Sequence, residues 1–187
     1  MSFKTVSFSI SRTRREPLGI ACQVEKTIST SAGPETNGEG AVDMGREDTR
    51  EILDKYRVVA VVGLSRGLSK DSNRVAKYLQ SQGYRIIPVN PTTDEVLDEK
   101  SYGSLLEIPS EVARTIEIVD IFRPSADVPA IVNQAIRMKE LYDKPYVVWM
   151  QRGIINEHAA KTAREAGLAV VMNKCMMQDH RRLFQSI

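Results

Sequence analysis

Five short apolar runs, separated by helical patterns, constrain the fold of this chain more than any other feature. They are RVVAVVG, YRIIPV, TIEIVDIF, PYVVWM and LAVVM, all in the part of the chain after residue 45. Continuous apolar runs of this length are typical of strands that are buried on both faces of a parallel sheet. The segments between them, among them NRVAKYLQSQ and NEHAAKTAREA, have the period of amphipathic helices. We therefore expect βαβ units that build one α/β domain.

The order of the strands decides where a ligand would bind. Crossovers between parallel strands are right-handed in about 98% of cases, and we expect a doubly wound sheet of five parallel strands in the order 3-2-1-4-5, with helices on both faces. Ligands of such sheets bind outside the carboxyl ends of the strands, where the winding reverses, which is here between strands one and four. The residues that follow each strand are therefore the candidates for a binding site.

The first 45 residues differ in composition from the rest of the chain. From residue 27 onward they are rich in Ser, Thr, Gly and Glu, without a sustained apolar period, so they cannot bury enough surface to offset the loss of chain entropy. We expect a disordered arm over residues 1–45 and a folded domain over residues 46–187. The arm starts basic and serine-rich, with its first acid at Glu16. This composition fits either an organelle transit peptide or an extension without function.

The overall composition excludes several classes of protein. The 26 Lys and Arg residues nearly balance the 24 Asp and Glu residues, so we expect neither nucleic acid nor a membrane surface as a partner. No apolar stretch approaches the about 20 residues that span a bilayer. Cys22 and Cys175 are far apart in the sequence and fit a reducing compartment better than a disulfide framework. We expect a soluble intracellular protein, cytoplasmic or alternatively mitochondrial.

The loop after the first strand, GLSRGLSK, has the composition of a phosphate-binding loop. Gly63 permits a tight turn and close approach of the backbone, Ser65 offers a hydroxyl group, and Arg66 and Lys70 offer positive charge. The helix that follows adds free N–H groups and the positive end of its dipole. These features predict an anion site at this loop, although a plain strand-to-helix connection is the alternative.

The specific nucleotide motifs are absent. A dinucleotide fingerprint needs G-x-G-x-x-G, but a serine stands here where the second glycine belongs. The acid that reads the ribose should end strand two, where this chain has Asn90 and Pro91, with no carboxylate until Asp94. The P-loop pattern G-x-x-x-x-G-K-[ST] does not occur either. A nicotinamide cofactor is therefore not expected.

The ends of strands two and four carry few polar groups. Strand two ends in PVNP, where two prolines fix the backbone and Asn90 can either pair with a base edge or hold the loop. Strand four ends in WMQRG, where Trp149 and Met150 fit the core. Gln151 and Gly153 are expected at the mouth of the crevice.

The end of strand three combines an apolar wall with one cation. Phe122 and Pro124 are the apolar members, and Arg123 stands between them. Arg123 can either reach a phosphate or form an ion pair with Asp120 or Asp127. The pattern alone does not choose between these roles.

Taken in order, these segments resemble a known family. The stretch VAVVGLSRGLSKDSNRVAKYLQSQGYRIIPVNP and the later stretches EVLDEKSYGSLLEIP, VDIFRPSADVPAIV, VVWMQRGI and VVMNKCMMQDHRRL are similar to the small stand-alone CoA-binding proteins. Those are single Rossmann-like domains, similar to the CoA-binding domain of the succinyl-CoA synthetase alpha subunit. The resemblance runs from Arg57 to Leu183 and leaves out the arm.

The resemblance implies that coenzyme A is the ligand. It places the phosphates at the loop after strand one, the adenine and ribose at the end of strand two, and the pantetheine near strand four. The implied contacts are Gly63, Ser65, Arg66 and Lys70 for the phosphates, Pro88, Asn90 and Pro91 for the adenine and ribose, Phe122, Arg123 and Pro124 along the ligand beside strand three, and Met150, Gln151 and Gly153 along the pantetheine. A site for the 3′-phosphate of CoA should avoid a carboxylate after strand two, which accounts for its absence.

The expected function is non-catalytic binding of CoA or acyl-CoA, as a carrier, a sensor or a partner subunit. The alternative is an enzyme that acts on CoA thioesters, completed by a separate protein; a protein partner or a homo-oligomer fits either case. His158 is expected either on a helix surface or between helices. Cys175 and His180 are the pair that a thiol–imidazole nucleophile would use, and no set of ligands has the spacing of a metal site.

Overall fold

Residues 46–185 of the protein are described by a computed structural model. The expected arm over residues 1–45 lies outside the described residues and stays a prediction. Seven strands occur in chain order within residues 46–185: β1 (Val58–Val62), β2 (Arg85–Val89), β3 (Glu95–Val96), β4 (Glu99–Lys100), β5 (Ile118–Ile121), β6 (Val147–Met150) and β7 (Ala169–Val171). Five of them form one parallel sheet, and β3 and β4 form a small antiparallel hairpin.

Six α-helices accompany these strands in the described part of the chain. They are α1 (Arg46–Lys55), α2 (Asp71–Ser81), α3 (Ser110–Ala113), α4 (Val128–Tyr142), α5 (Glu157–Glu165) and α6 (Met176–Phe184), together with a 3-10 helix at Leu105–Glu107. Between residues 46 and 185 no helix is both long and apolar enough to cross a membrane.

Helices cover both faces of the sheet, as expected for an α/β domain. On one face, apolar residues of α4 and α5, such as Val132 and Ala160, pack against Val119 of β5. On the other face, residues of α1, α2 and α6 pack against Trp149, which is fully buried. The expected Rossmann-like doubly wound architecture is confirmed, and the carboxyl ends of its five strands meet along one edge.

The order of the strands differs from the prediction. Counted within the parallel sheet, it is 2-1-3-4-5, that is β2-β1-β5-β6-β7, so the expected order 3-2-1-4-5 is wrong. The third strand, β5, pairs with β1, with Val59 opposite Ile118. The winding therefore reverses between β1 and β5, and this is where a ligand of such a sheet is expected.

Pro88 explains why β2 lies at the edge. Proline has no N–H group to donate to a sheet ladder and is confined to edge strands, strand starts and bulges. In the predicted order β2 would have had strands on both sides. In the structure the carbonyl of Pro88 accepts a hydrogen bond from the N–H of Tyr102 at 3.1 Å, on the side away from β1. The proline inside the YRIIPV run was therefore the signal for an edge strand.

Candidate functional site

The ends of β1, β2 and β5 converge at Gly63. Its N–H donates to the carbonyl of Val89 at 2.8 Å, and its φ of 88° lies in the left-handed region that favours glycine. A Cβ atom at this position would lie 3.0 Å from the carbonyl oxygen of Phe122 and 3.0 Å from Cδ of Arg123. Glycine is therefore needed for both the backbone conformation and the close approach of the loop after β5.

Polar side chains hold the loop from residue 63 to residue 70 in place through hydrogen bonds to its backbone. The amide of Asn73 donates to the carbonyl of Ser65 at 2.9 Å, and the hydroxyl of Ser72 accepts from the N–H of Ser65 at 3.1 Å. Asn90 donates to the carbonyl of Leu64 at 2.8 Å. Because Ser72 and Asn73 are buried in the first turn of α2, the protein itself fixes the conformation of the loop.

The exposed side of this loop is basic. The side chains of Arg66 and Lys70 are exposed. Helix α2 starts after Lys70 and has no side-chain hydrogen bond that caps its N-terminus. The first N–H groups of a helix have no partner within the helix, and they bind anions well. Two exposed cations thus lie in the loop that leads into the N-terminus of α2.

A first cleft, the α4 cleft, opens between the β1 and β2 loops and helix α4. Its volume is about 370 Å³, and Gly63, Pro91, Arg123 and Gln134 are among its lining residues. Arg123 forms an ion pair with Asp127, with 2.9 Å between Nη2 and Oδ2. Of the roles left open by the sequence, the structure therefore shows the ion pair with Asp127.

Asn90 holds the loop beside this cleft. Besides its amide bond to the β1 loop, its Oδ1 accepts hydrogen bonds from the N–H of Thr92 at 3.0 Å and from the hydroxyl of Thr92 at 2.8 Å. The side chain of Asn90 therefore has a structural role in this loop.

A second cleft, the α6 cleft, lies between the starts of α2 and α6. It has a volume of about 260 Å³, and Phe122, Gln151, Cys175 and Met177 are among its lining residues. Cys175 stands at the N-cap position of α6. The lining of the α6 cleft is mixed: Ile154 adds apolar surface, and Arg74 and Arg152 add charge. A lining of this kind suits the arm of an amphipathic ligand.

The other predicted residues do not line either cleft. Met150 is fully buried in the apolar cluster under α4 and α5, and Pro88 is buried within β2. Pro124 and Gly153 are exposed, and the N–H of Gly153 donates to Oδ1 of Asn173 at 2.8 Å. The structure thus brings together Gly63, Pro91 and Arg123 on one side and Phe122 with Gln151 on the other.

Asp120 is a polar residue of this region that the sequence pattern did not assign to the site. It is completely buried in β5, and both of its carboxylate oxygens lie 2.9 Å from Nε2 of Gln151. Burial raises the pKa of this carboxyl group to about 7, although the hydrogen bond from Gln151 opposes the shift. The acid inside the apolar run TIEIVDIF was the available signal.

Cys175 and His180 do not form a pair. Nδ1 of His180 lies 2.9 Å from the hydroxyl of Tyr78, and its ring packs beside Tyr84 and Phe184. Burial lowers the pKa of His180, and the residue does not line the α6 cleft. His158 is exposed, which is the first of its two expected placements. Within residues 46–185 no three His, Cys, Asp or Glu residues come together as a metal site would require.

Comparison with known proteins agrees with the resemblance seen in the sequence. The family model for the CoA binding domain matches residues 57–181. The uncharacterized protein YneT of Bacillus subtilis is 38% identical over 135 residues, which are 72% of this chain and 93% of that protein. A solved structure of a hypothetical protein from Pyrococcus horikoshii is 42% identical, with a TM-score of 0.68, and the match covers 79% of this chain and 99% of that one.

A larger protein contains a similar segment. The ADP-forming acetate–CoA ligase II of Archaeoglobus fulgidus is 38% identical over 78 residues, which are 41% of this chain and 11% of the ligase. The chain therefore resembles one small part of that protein.

Proposed function

We propose, because this chain belongs to the CoA-binding domain family, that it binds coenzyme A or an acyl-CoA at the carboxyl edge of its sheet without transforming it. The observation that carries the proposal is one exposed basic loop that lies between two clefts. Gly63 lines the α4 cleft, and Asp71, which begins α2, lines the α6 cleft. A ligand that lies across this loop has its middle at the anion donors and its ends in the clefts.

Coenzyme A has the matching distribution of chemical groups. Its diphosphate would lie at Gly63, Ser65, Arg66 and Lys70, where two cations, a hydroxyl group and the N-terminus of α2 come together. Its adenosine end would lie near Asn90 and Pro91, and Arg123 could leave Asp127 for a phosphate group. Its pantetheine arm would enter the α6 cleft along Phe122 and Gln151.

Four residues of the proposed site line neither cleft and would contribute without a polar side-chain contact to the ligand. The buried side chains of Met150 and Pro88 would support the floor of the site. Pro124 and Gly153 line neither cleft in the structure. They would contact the ligand from outside the clefts, since they lie in the exposed loops after β5 and β6. The two clefts and the loop between them remain the centre of the proposal.

A catalytic role with a partner protein is the second candidate. The similarity to a segment of the ADP-forming acetate–CoA ligase favours it, since that segment is part of an enzyme. In this case the chain would supply the CoA site and a separate protein would supply the remaining chemistry. Formation of an acyl-CoA from the free acid, ATP and CoA, only when a partner is added, would support this candidate.

Replacing both loop cations tests where the phosphates bind. In Arg66→Ala/Lys70→Ala we expect the affinity for CoA to fall at least tenfold, because a tenfold change corresponds to only about 1.4 kcal/mol and charged hydrogen bonds contribute about 1.5 to 3 kcal/mol each. Pantetheine, which has no phosphate, should bind this variant as it binds the unmodified protein. Titration calorimetry with both ligands measures the two affinities.

The matched control removes two cations elsewhere. Lys77 and Arg85 are exposed and line neither cleft, so Lys77→Ala/Arg85→Ala has the same change of net charge. This control should keep CoA affinity within about twofold. Equal losses in the two double variants would show that the effect is general electrostatics and would remove the phosphates from this loop.

A further inference from the structure

A buried carboxylate and a buried amide meet at the wall of the α6 cleft. Asp120 has no exposed surface, and Gln151 is 3% exposed. The two side chains stand on neighbouring strand ends, since β5 pairs with β6 and the N–H of Gln151 extends that ladder to the carbonyl of Ile121 at 3.3 Å. Their relative position is therefore set by the sheet itself.

The carboxylate orients the amide. Nε2 of Gln151 lies 2.9 Å from Oδ1 and 2.9 Å from Oδ2 of Asp120. Above pH 7, where Asp120 is ionised, its carboxylate accepts hydrogen bonds and cannot donate them, so it selects the N–H side of the amide. No ion pair to Asp120 occurs among the described side chains. The amide of Gln151 is thus the side-chain donor that offsets the burial of this acid.

The oxygen atom of the Gln151 amide, Oε1, is available as an acceptor in the α6 cleft. With Nε2 at Asp120, Oε1 of Gln151 is directed away from the carboxylate. No hydrogen bond between described residues uses Oε1, it is not a fully buried unpaired atom, and Gln151 lines the α6 cleft. The wall of the cleft therefore presents a hydrogen-bond acceptor of fixed orientation. The same cleft is lined by apolar residues, such as Phe122 and Met177, and by charged ones, such as Arg152.

We infer that Asp120 is a positioning residue, which holds the Gln151 amide so that Oε1 accepts a hydrogen bond from an amide N–H of the ligand arm in the α6 cleft. The pantetheine arm of CoA contains two secondary amides, and each has one N–H donor. The inference rests on the proposed function for the identity of the arm. Beyond the proposed function, the inference names the amide N–H groups of the arm as the recognised groups. It also names Asp120 as the residue that makes the protein side of this contact an acceptor.

Asp120→Asn reverses this polarity with a minimal change of shape. The amide of the introduced asparagine can donate to Oε1 of Gln151, which turns the Gln151 amide and directs its N–H groups into the cleft. At pH 8, where Asp120 of the unmodified protein is ionised, we expect the affinity for CoA to fall about tenfold, a typical loss when one hydrogen bond in a protected site is broken. Adenosine 3′,5′-bisphosphate has no pantetheine arm and should keep its affinity.

A double variant separates positioning from general stability. In Asp120→Asn/Gln151→Glu the asparagine donates to one oxygen of the new carboxylate, and the other oxygen is again an acceptor in the cleft. The net charge of the pair equals that of the native pair. We expect CoA affinity to return to within about threefold of the unmodified protein, whereas a purely structural role predicts no recovery.

Calorimetry with CoA and with adenosine 3′,5′-bisphosphate gives distinct outcomes for each claim. Equal losses for both ligands in Asp120→Asn, unchanged CoA affinity in that variant, or no recovery in the double variant would overturn the inference and leave the proposed function standing. Failure of the unmodified full chain to bind either ligand would overturn the proposed function and the inference with it. Gln151→Met removes the hydrogen-bond acceptor by an independent route and is the test if Asp120→Asn does not fold. A tenfold loss of affinity for CoA in Gln151→Met, without a loss for adenosine 3′,5′-bisphosphate, supports the contact. No loss of affinity for CoA overturns it.

Discussion

Gly63→Ala should lower the affinity for CoA at least 100-fold and should also destabilise the protein. A side chain at φ 88° costs about 1 kcal/mol, and the new Cβ would lie 3.0 Å from the carbonyl oxygen of Phe122. That carbonyl cannot move freely, because the N–H of Phe122 donates to Val62 at 2.8 Å. The β1 loop must then shift away from β5, which displaces the groups proposed to bind the diphosphate. Titration calorimetry and thermal unfolding measure the two effects.

Gly83→Ala is the matched control for this variant. Gly83 has a φ of 85°, but a Cβ atom there meets nothing within 4 Å, and the residue follows α2 away from both clefts. We expect a loss of about 1 kcal/mol of stability from the left-handed conformation and no change in CoA affinity. If both variants bind CoA equally well, the close approach at Gly63 has no role in the site.

The second large effect concerns Asp120 and pH. The pKa of this carboxyl group is about 7 in the folded protein, against an ordinary value of 3.8. The folded state therefore binds the proton more tightly, and the stability that this group contributes is complete below pH 4 and is lost as pH rises through 7. The loss is about 4 kcal/mol at most. Between about pH 5 and pH 8 we expect Asp120→Asn to gain about 3 kcal/mol of stability relative to the unmodified protein, because pH 5 lies two pH units below the pKa of Asp120.

Urea unfolding of both proteins at the two pH values measures this difference. His180 acts in the opposite direction, because its lowered pKa removes stability as pH falls. Its contribution is present in both proteins and cancels when they are compared. Asp54→Asn, which removes an exposed carboxylate, serves as the control. A difference in stability between Asp120→Asn and the unmodified protein that does not change with pH would contradict the account of a buried, desolvated acid.

The five strands and their helices are predictable because each strand is a continuous apolar run. The strand order is not predictable from these runs. It depends on whether the chain, after β2, adds β5 beside β2 or beside β1, and the apolar pattern of the strands is the same in both cases. Pro88 indicates the order, because a β2 inside the sheet would place a residue without an N–H group between two hydrogen-bonded neighbours. The structure adds that Tyr102 pairs with the outer side of this strand.

The candidate site is predictable in part for the same physical reason. Residues just after strands meet at one edge of a parallel sheet, which brings Gly63, Arg123 and Gln151 to the same side of the protein. The direction of each side chain is not readable from its place in the sequence, and Met150 points into the core although it ends a strand. The pairing of Asp120 with Gln151 depends on the register of β5 and β6, which sequence patterns do not specify.

Binding of CoA and NAD to the full chain, measured by titration calorimetry under identical conditions, tests the central claim most directly. The loop after β1 suits phosphate groups, while the end of β2 has no carboxylate for the ribose of NAD and the side chain of Asn90 is engaged with Leu64 and Thr92. We predict one CoA per chain with a dissociation constant of about 1 μM or lower, equivalent to about −8 kcal/mol, and no detectable binding of NAD. Binding of NAD without binding of CoA would contradict the account.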